Sequence, residues 1–458
     1  MFTIHTQLLA ILFLIPLMLS PIATAANLET DSNTSCGSSV EILRSGNDWS
    51  LQVNGQPFTV LGAGMGYTDA AGVRSLADAG GNAFRTWGTQ ALDVQLAAAM
   101  RFGLKVLVGL DMSKELQGFD YNDNNAVAQQ QIKIERIIEK YKCHPSVLGW
   151  IIANEPNLMI GADDAVVQPN PKVYEAINNV LEYIHLHDPK HPATVALAFT
   201  PTLSDDVKLL LDAMPSIDFL SFQAYGALPI ISTFVSEQNI ELPYMVTEFG
   251  PLGHWEMPKT QWDREIEEPS GHKAAGMVNR MQQAGLDKPR GQLLGSFAFL
   301  WGHKQERTPT WYGLLTEDGS RTAAVDELTK IWTGKYPAAR APAAWSILLN
   351  GKDATANILL APNELAKVQL HADDPNNDSL TLKWQIMTEV GVGSHGGEYE
   401  APPNKIDVSF LKQQTVGDQH SVEFKAPKRP DHYRLYVWAY NGSGGVATAN
   451  IPFLIKAP

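Results

Sequence analysis

Two short stretches of this 458-residue chain put an acid where an acid is costly. Ala153-Asn154-Glu155-Pro156 closes an apolar run that begins near Ser146, and Thr247-Glu248-Phe249-Gly250 closes one that begins near Pro243. A carboxylate at the end of a buried run needs a partner or a task, because burying an unpaired charge is strongly unfavourable. Two such carboxylates brought face to face suit the cleavage of a glycosidic bond. One protonates the leaving oxygen while the other attacks the anomeric carbon. The bland alternative is that each glutamate merely ends a strand and pairs with a nearby Arg or Lys.

Distant strand ends meet only on a suitable scaffold. Apolar runs that fit buried strands begin near Phe58, Asn82, Lys105, Ser146, Ala193, Ile217, Pro243 and Leu294. LKVLVGLDM, SVLGWIIAN and LLGSFAFLW are nearly continuous, as parallel strands covered on both faces must be. Helical patterns lie between them. In one, Val173, Ile177, Val180, Leu181 and Ile184 mark a single face. Eight strand–helix units over residues 41–336 predict an α/β fold, a (β/α)8 TIM barrel. An open doubly wound sheet is the alternative, but Gly62, Gly64 and Gly66 do not make the dinucleotide fingerprint in its usual context. Barrel enzymes keep their chemistry at the C-terminal strand ends. Strands four and seven lie across the mouth from one another, so Glu155 and Glu248 are expected to converge.

The barrel has flanking segments. VEILRSGNDWSLQVNGQP reads as a hairpin with an Asn54-Gly55 turn. PAARAPAAW at 337–345 reads as a linker. Residues 346–458 alternate in strand fashion and predict a small antiparallel β-sandwich, Ig-like in kind. Its Asp373, Asp374, Asn376 and Asp378 suit an Asx-rich turn first and calcium second. The Gly-rich insertion GVGSHGGEYEAPPNK either folds back over the barrel or moves freely.

Residues 1–25 read as a signal peptide. Leu8 to Leu19 is apolar, and Ala23-Thr24-Ala25 supplies a small-x-small cleavage pattern. An uncleaved anchor is the alternative, but Pro16 and Pro21 interrupt the run. Residues 26–40 read as a flexible leader. The expectation is a secreted or periplasmic monomer with no stable membrane insertion after cleavage. Hydrophobic residues at 44% exclude a mainly disordered chain. A net charge of −14 argues against a nucleic-acid partner, which needs a basic face. The two cysteines, Cys36 and Cys143, leave pairing open. Neither CxxC nor HExxH occurs, so no metal and no cofactor is expected.

Asn154-Glu155-Pro156 with Thr247-Glu248-Phe249-Gly250 resembles the clan of retaining barrel glycosidases that includes glycoside hydrolase families 2, 5, 17 and 72. The resemblance implies Glu155 as general acid/base, Glu248 as nucleophile and Asn154 on the sugar 2-hydroxyl. Asn82-Ala83-Phe84-Arg85-Thr86-Trp87 resembles the strand-two segment whose Arg, here Arg85, steadies the nucleophile. Phe222-Gln223-Ala224-Tyr225 resembles the strand-six end, where Tyr225 would bond the nucleophile. Phe299-Leu300-Trp301 resembles the strand-eight end, where Trp301 would form a sugar platform. Gln223 stands where family 72 has Asn, and the β-sandwich that precedes family 2 barrels is missing. Tyr67, Trp87, His254, Trp255, Trp262, Trp311 and Tyr312 fit a sugar cleft, Trp87 and Trp255 foremost. The long loop 254–270 is expected to form a cleft wall. The resemblance implies an oligo- or polysaccharide substrate, a β-glucan or related glycan. A transglycosylase with the same covalent step, or a non-catalytic glycan-binding barrel, remains the alternative.

Overall fold

The computed structural model describes residues 37–66, 70–161, 165–391 and 397–456. The expected signal segment, the leader through Cys36, and Tyr67 lie outside these residues. The eight barrel strands are Val60–Gly64, Ala83–Arg85, Lys105–Leu110, Val147–Asn154, Ala193–Ala198, Leu220–Gln223, Tyr244–Phe249 and Leu293–Ala298. They pair in parallel and in sequence order, and strand eight closes on strand one with Gly295 opposite Val60. Six of them are buried at every residue or, like Val147–Asn154, at all but the last. Continuous apolar sequence is the consequence, because helices cover the outside.

The helices are α1 (Ala70–Asp78), α2 (Leu92–Phe102), α3 (Asn124–Tyr141), α4 (Lys172–His187), α5 (Leu203–Ala213), α6 (Ile231–Glu237), α7 (Ser270–Gln283) and α8 (Ala323–Thr333). Each turns an apolar stripe to the sheet. In α4 that stripe is Val173, Ile177, Val180, Leu181 and Ile184, all buried. The Asp123 carboxylate starts α3 by accepting from the backbone N–H groups of Asn125 and Ala126.

One end of the barrel is sealed. Strands Val40–Ser45, Asp48–Val53 and Gln56–Pro57 form a small sheet, and the last two are joined by Asn54 (φ 52°) and Gly55 (φ 73°). Both positive angles belong to a tight hairpin turn that favours this Asn-Gly pair. Val40, Leu51 and Val53 pack against Val60, Phe219 and Phe297 inside the barrel. Ser38 Oγ lies 2.8 Å from His191 Nε2, whose Nδ1 lies 2.8 Å from Asp188. This trio has the residue types of a hydrolytic triad. It is wholly buried, and the Ser38 hydroxyl donates to Val147 O, so it fastens the chain instead. Cys143 is disulfide-bonded, and Gly37 N donates to its carbonyl at 3.2 Å.

The C-terminal sandwich pairs two antiparallel-dominated sheets. One runs Ala343–Leu349, Leu365–Asp373, Gln419–Lys425, Phe410–Val416. The other runs Leu359–Leu360, Val446–Ile455, Asp431–Tyr440, Thr381–Thr388, Lys405–Ile406. The first strand starts inside the stretch that reads as a linker. The residues before it are pinned. Ala341 N donates to Asp326, Arg340 N to Asn376 Oδ1 (2.8 Å), and the Arg340 guanidinium lies 3.9 Å from the Tyr336 ring centre. The Asp/Asn-rich turn is a hydrogen-bonded turn. Asp374 accepts from Asn376 N (2.8 Å), Asp378 N (3.2 Å) and Asn441 Nδ2 (2.9 Å). No group of residues able to hold a metal ion occurs among the described residues. Among them, too, no helix is long and apolar enough to cross a membrane.

Candidate active site

Both glutamates sit beside irregularities in the barrel ladder, Glu155 just past its strand and Glu248 within its own. Strand four pairs with strand five through a register shift between Thr194 and Ala196, where Asn154 faces Ala196. Ala153 (φ 64°) and Glu155 (φ 52°) are both left-handed, a conformation that costs a non-glycine residue energy. Glu155 N nonetheless keeps a bond to Ala196 O at 2.8 Å. Strand six shifts against strand seven between Phe222 and Gln223, so Gln223 faces Glu248. Bulges of this kind re-aim a side chain at the rim of a barrel.

Glu248 is nearly buried and surrounded by donors. Arg85 Nη1 donates to Oε1 at 3.2 Å, Trp87 Nε1 to the same oxygen at 2.7 Å, and the Tyr225 hydroxyl to Oε2 at 2.9 Å. Three donors and no acceptor suit a carboxylate, which only accepts. Burial pushes the Tyr225 hydroxyl well above its ordinary value, and the Glu248 charge adds to this, so Tyr225 stays a donor. Trp87 needs room to reach the carboxylate. Gly64 on strand one provides it, since a Cβ there would sit 2.4 Å from the Trp87 ring.

Asn154 is oriented from two sides. Arg85 Nη2 (2.9 Å) and Gln223 Nε2 (2.7 Å) both donate to its Oδ1. Its amide nitrogen is thereby left as the group that can donate to a ligand. Arg85 thus links both strand ends. It is wholly buried, and burial lowers its pKa against the opposing pull of Glu248 and Glu155. Its Nε and the Gln223 Oε1 are buried without a hydrogen-bond partner among the described residues.

Glu155 is half-buried and takes no described side-chain hydrogen bond. Its carboxyl is pushed up to about 7, first by burial and then by the charge of Glu248. Lys114 and Arg85 pull it back, and Glu306 adds to the rise. Two carboxyls, one ringed by donors and one kept near neutrality, divide into a base-like and an acid-like partner.

No family model and no curated protein matches the chain in sequence. Similarity appears at the level of structure. A calcium-binding mutant of Bacteroides uniformis beta-glucuronidase 2 superposes with a TM-score of 0.50 at 13% identity, over 90% of this chain and 47% of that one. A Ruminococcus gnavus b-glucuronidase in complex with C6-substituted uronic isofagomine gives 0.50 at 16%, over 64% and 52%. The chain shares their barrel fold. It spans about half the length of those two proteins.

The structure thus brings Arg85, Trp87, Asn154, Glu155, Tyr225 and Glu248 together. Trp255, 59% exposed, joins them at the edge of the Tyr225 ring, 5.4 Å between centroids. Trp301 does not join. Its indole nitrogen donates to Ser75 Oγ at 2.8 Å, and its ring stacks on Trp332 of α8 at 6.2 Å, within the main core. The sugar-platform expectation for Trp301 is therefore corrected to core packing between α1 and α8. Phe299, two residues earlier, lies against Trp87 (5.5 Å) and Tyr225 (6.1 Å) instead.

Loop 254–270 also departs from expectation. Beyond Trp255 it turns to the sandwich. Gln261 N donates to Asn357 Oδ1 (2.6 Å), Trp262 stacks on His432 (6.4 Å), and Glu265 O accepts from Arg434 (2.8 Å). Trp311 and Tyr312 are buried, the first bonded to Leu252 O and the second accepting from His254 N. Sequence reasoning missed Lys114 and Glu306, which bias Glu155 from two loops. Lone charged residues in loops carried no signal for this.

Proposed function

We propose that this chain is an exported retaining β-glycoside hydrolase acting by double displacement on a β-glucan or related β-linked glycan. Glu248 attacks the anomeric carbon, and Glu155 gives its proton to the leaving oxygen. Glu155 then takes a proton from the water that opens the glycosyl-enzyme. Asn154 donates to the sugar 2-hydroxyl. Arg85 and Tyr225 hold Glu248 in attacking position, and Trp255 offers an exposed face to a pyranose ring. One observation carries the reading: a carboxyl with a pKa of about 7 shares the barrel mouth with a carboxylate held by three donors. A general acid working near neutrality needs such a value. The shared fold agrees with it and leaves the substrate to chemistry.

The test is turnover of a panel of aryl β-glycosides, β-glucuronide included, with NMR of the first-formed anomer. Retention is expected, with carboxyl groups about 5–5.5 Å apart; inverting enzymes need about 6.5–9.5 Å. An inverted first product, or no turnover of any member, overturns the reading. Export is tested separately by sequencing the mature N-terminus, expected at Ala26.

A further inference from the structure

The C-terminal sandwich reaches the barrel mouth. Its insertion between strands Thr381–Thr388 and Lys405–Ile406 is fastened to the loop that follows barrel strand eight. Glu400, itself buried, accepts from Arg307 N and from Gln305 Nε2 (3.3 Å). Gly397 O accepts from Lys304 Nζ at 3.5 Å. That loop belongs to the site. Lys304 lies 5.4 Å from the centre of the Phe299 ring, and Phe299 meets both Trp87 and Tyr225, two of the three side chains that donate to Glu248. Lys304 also pairs with Glu306 at 2.6 Å, and the Glu306 charge is felt at Glu155.

Between the two anchors stands Tyr399. At 88% it is the most exposed large apolar side chain among the described residues. Single exposed apolar residues are ordinary on a surface. This one differs in its mounting. Glu400, next to it, is held by its buried carboxylate, and Gly397, two residues before it, by a long hydrogen bond from Lys304, so the ring is carried on a segment anchored to the loop that follows strand eight. An aromatic with a free face and a polar tip is suited to a pyranose ring, whose axial C–H groups are apolar and whose edge is hydroxylated.

We propose that Tyr399 forms an outer sugar-binding platform contributed by the sandwich, so that the preferred substrate is a chain extending beyond the two sugars at the cleavage point. This deepens the glycosidase reading and rests on it. The sandwich then has a direct role in substrate choice, and Glu400 is the positioning residue that holds the platform against the barrel.

The experiment compares the full-length protein with Tyr399→Ala, Tyr399→Trp and, as a control on the far edge of the sandwich, Val416→Ala. For each, kcat/KM on a β-linked hexasaccharide is divided by kcat/KM on an aryl β-monoglycoside. The ratio should fall about five- to tenfold in Tyr399→Ala, through KM, as loss of an aromatic anchor does. It should hold in Tyr399→Trp and in Val416→Ala. An unchanged ratio in Tyr399→Ala overturns the proposal while leaving the glycosidase reading intact. Calorimetric titration of the same variants with the hexasaccharide, each carrying Glu248→Gln, gives a readout independent of turnover. Equal affinity with and without Tyr399 overturns the proposal on its own. Parent protein that neither binds nor cleaves any glycan overturns both readings together.

Discussion

Two of the buried polar clusters, one at the barrel mouth and one at the seam with the sandwich, have electrostatics of opposite sign. At the barrel mouth, burial lowers Arg85 and raises Glu155, so the surroundings disfavour both charges. At the seam between barrel and sandwich, Lys273 of α7 donates to Glu267 at 2.5 Å, and Thr310 Oγ1 and Asn450 Nδ2 donate to the same carboxylate. Arg434 donates to Glu389 (3.0 Å), Asn450 (2.8 Å) and Glu265 O (2.8 Å). Burial there works to raise Glu267 and lower Arg434, and the partners outweigh it, leaving Glu267 below and Arg434 above its ordinary value. The seam satisfies its charges; the mouth keeps one half-buried acid short of partners. Groups held away from their comfortable protonation state in a concave place mark chemistry, whereas satisfied ion pairs mark construction.

The largest test of that contrast is Glu248→Ala. On the proposed reading Glu248 is the nucleophile, and its loss should lower kcat at least about 10⁴-fold on every substrate. Azide should then give an α-configured product by direct displacement. Glu155→Ala should behave differently. Activated aryl glycosides need little protonation on leaving, so the first step should survive and the glycosyl-enzyme accumulate, with azide yielding a β-configured product. Interchanged anomers would mean that the two roles are reversed.

Breaking the seam should act on stability. Glu267→Ala leaves Lys273 buried without its carboxylate and should cost about 3–5 kcal/mol, read as a lowered denaturation midpoint. A drop in kcat with no loss of stability would erase the distinction between the two clusters.

The two clusters also predict opposite pH responses. Glu155 is protonated more readily folded than unfolded, so the native state binds extra protons between about pH 4.5 and about 7. Its contribution to stability is present below that window and is lost as pH rises through it. Glu267 is held below its ordinary value, so its contribution is present above that value and lost as pH falls. Glu155→Gln should therefore flatten the neutral side of a plot of Tm against pH. Glu267→Gln should flatten the acid side. On the proposed reading, kcat/KM of the parent protein should fall above about pH 7 as Glu155 loses its proton.

Sequence carried the barrel because buried parallel strands cannot alternate, and all eight apolar runs became strands. It singled out the two glutamates for a related reason: a carboxylate at the end of such a run needs a partner or a task. What it could not carry was the aim of side chains beyond a strand end. Ala153 and Glu155 take left-handed angles, and register shifts precede Asn154 and Glu248. Each such irregularity turns the following side chains to another face. The seam was hidden for a different reason. Glu267, Thr310, Arg434 and Asn450 are far apart in sequence and each reads alone as a surface polar residue. The apparent linker failed likewise, since Pro and Ala describe its backbone and say nothing of Asp326, which accepts from Ala341 N.

Trp301 gives the smallest effect and the finest discrimination. Aromatic residues at strand ends serve either a cleft or a core, and its sequence position cannot separate these. In the structure its indole N–H is satisfied by Ser75, and its ring lies on Trp332, away from the donors around Glu248. Trp301→Phe keeps an aromatic ring there and removes the one hydrogen bond. The Ser75 hydroxyl keeps its own bond to Gly72 O at 2.8 Å, so no donor is stranded. The expected cost is about 1 kcal/mol of stability, the net worth of a typical buried hydrogen bond. kcat/KM should stay within about threefold of the parent, because no group that touches Glu248 or Glu155 has moved. Trp255→Ala should do the reverse, since a ring 59% exposed contributes little to folding. Its KM should rise with Tm unchanged. A Trp301→Phe variant with intact stability and a KM raised tenfold would return that side chain to the cleft.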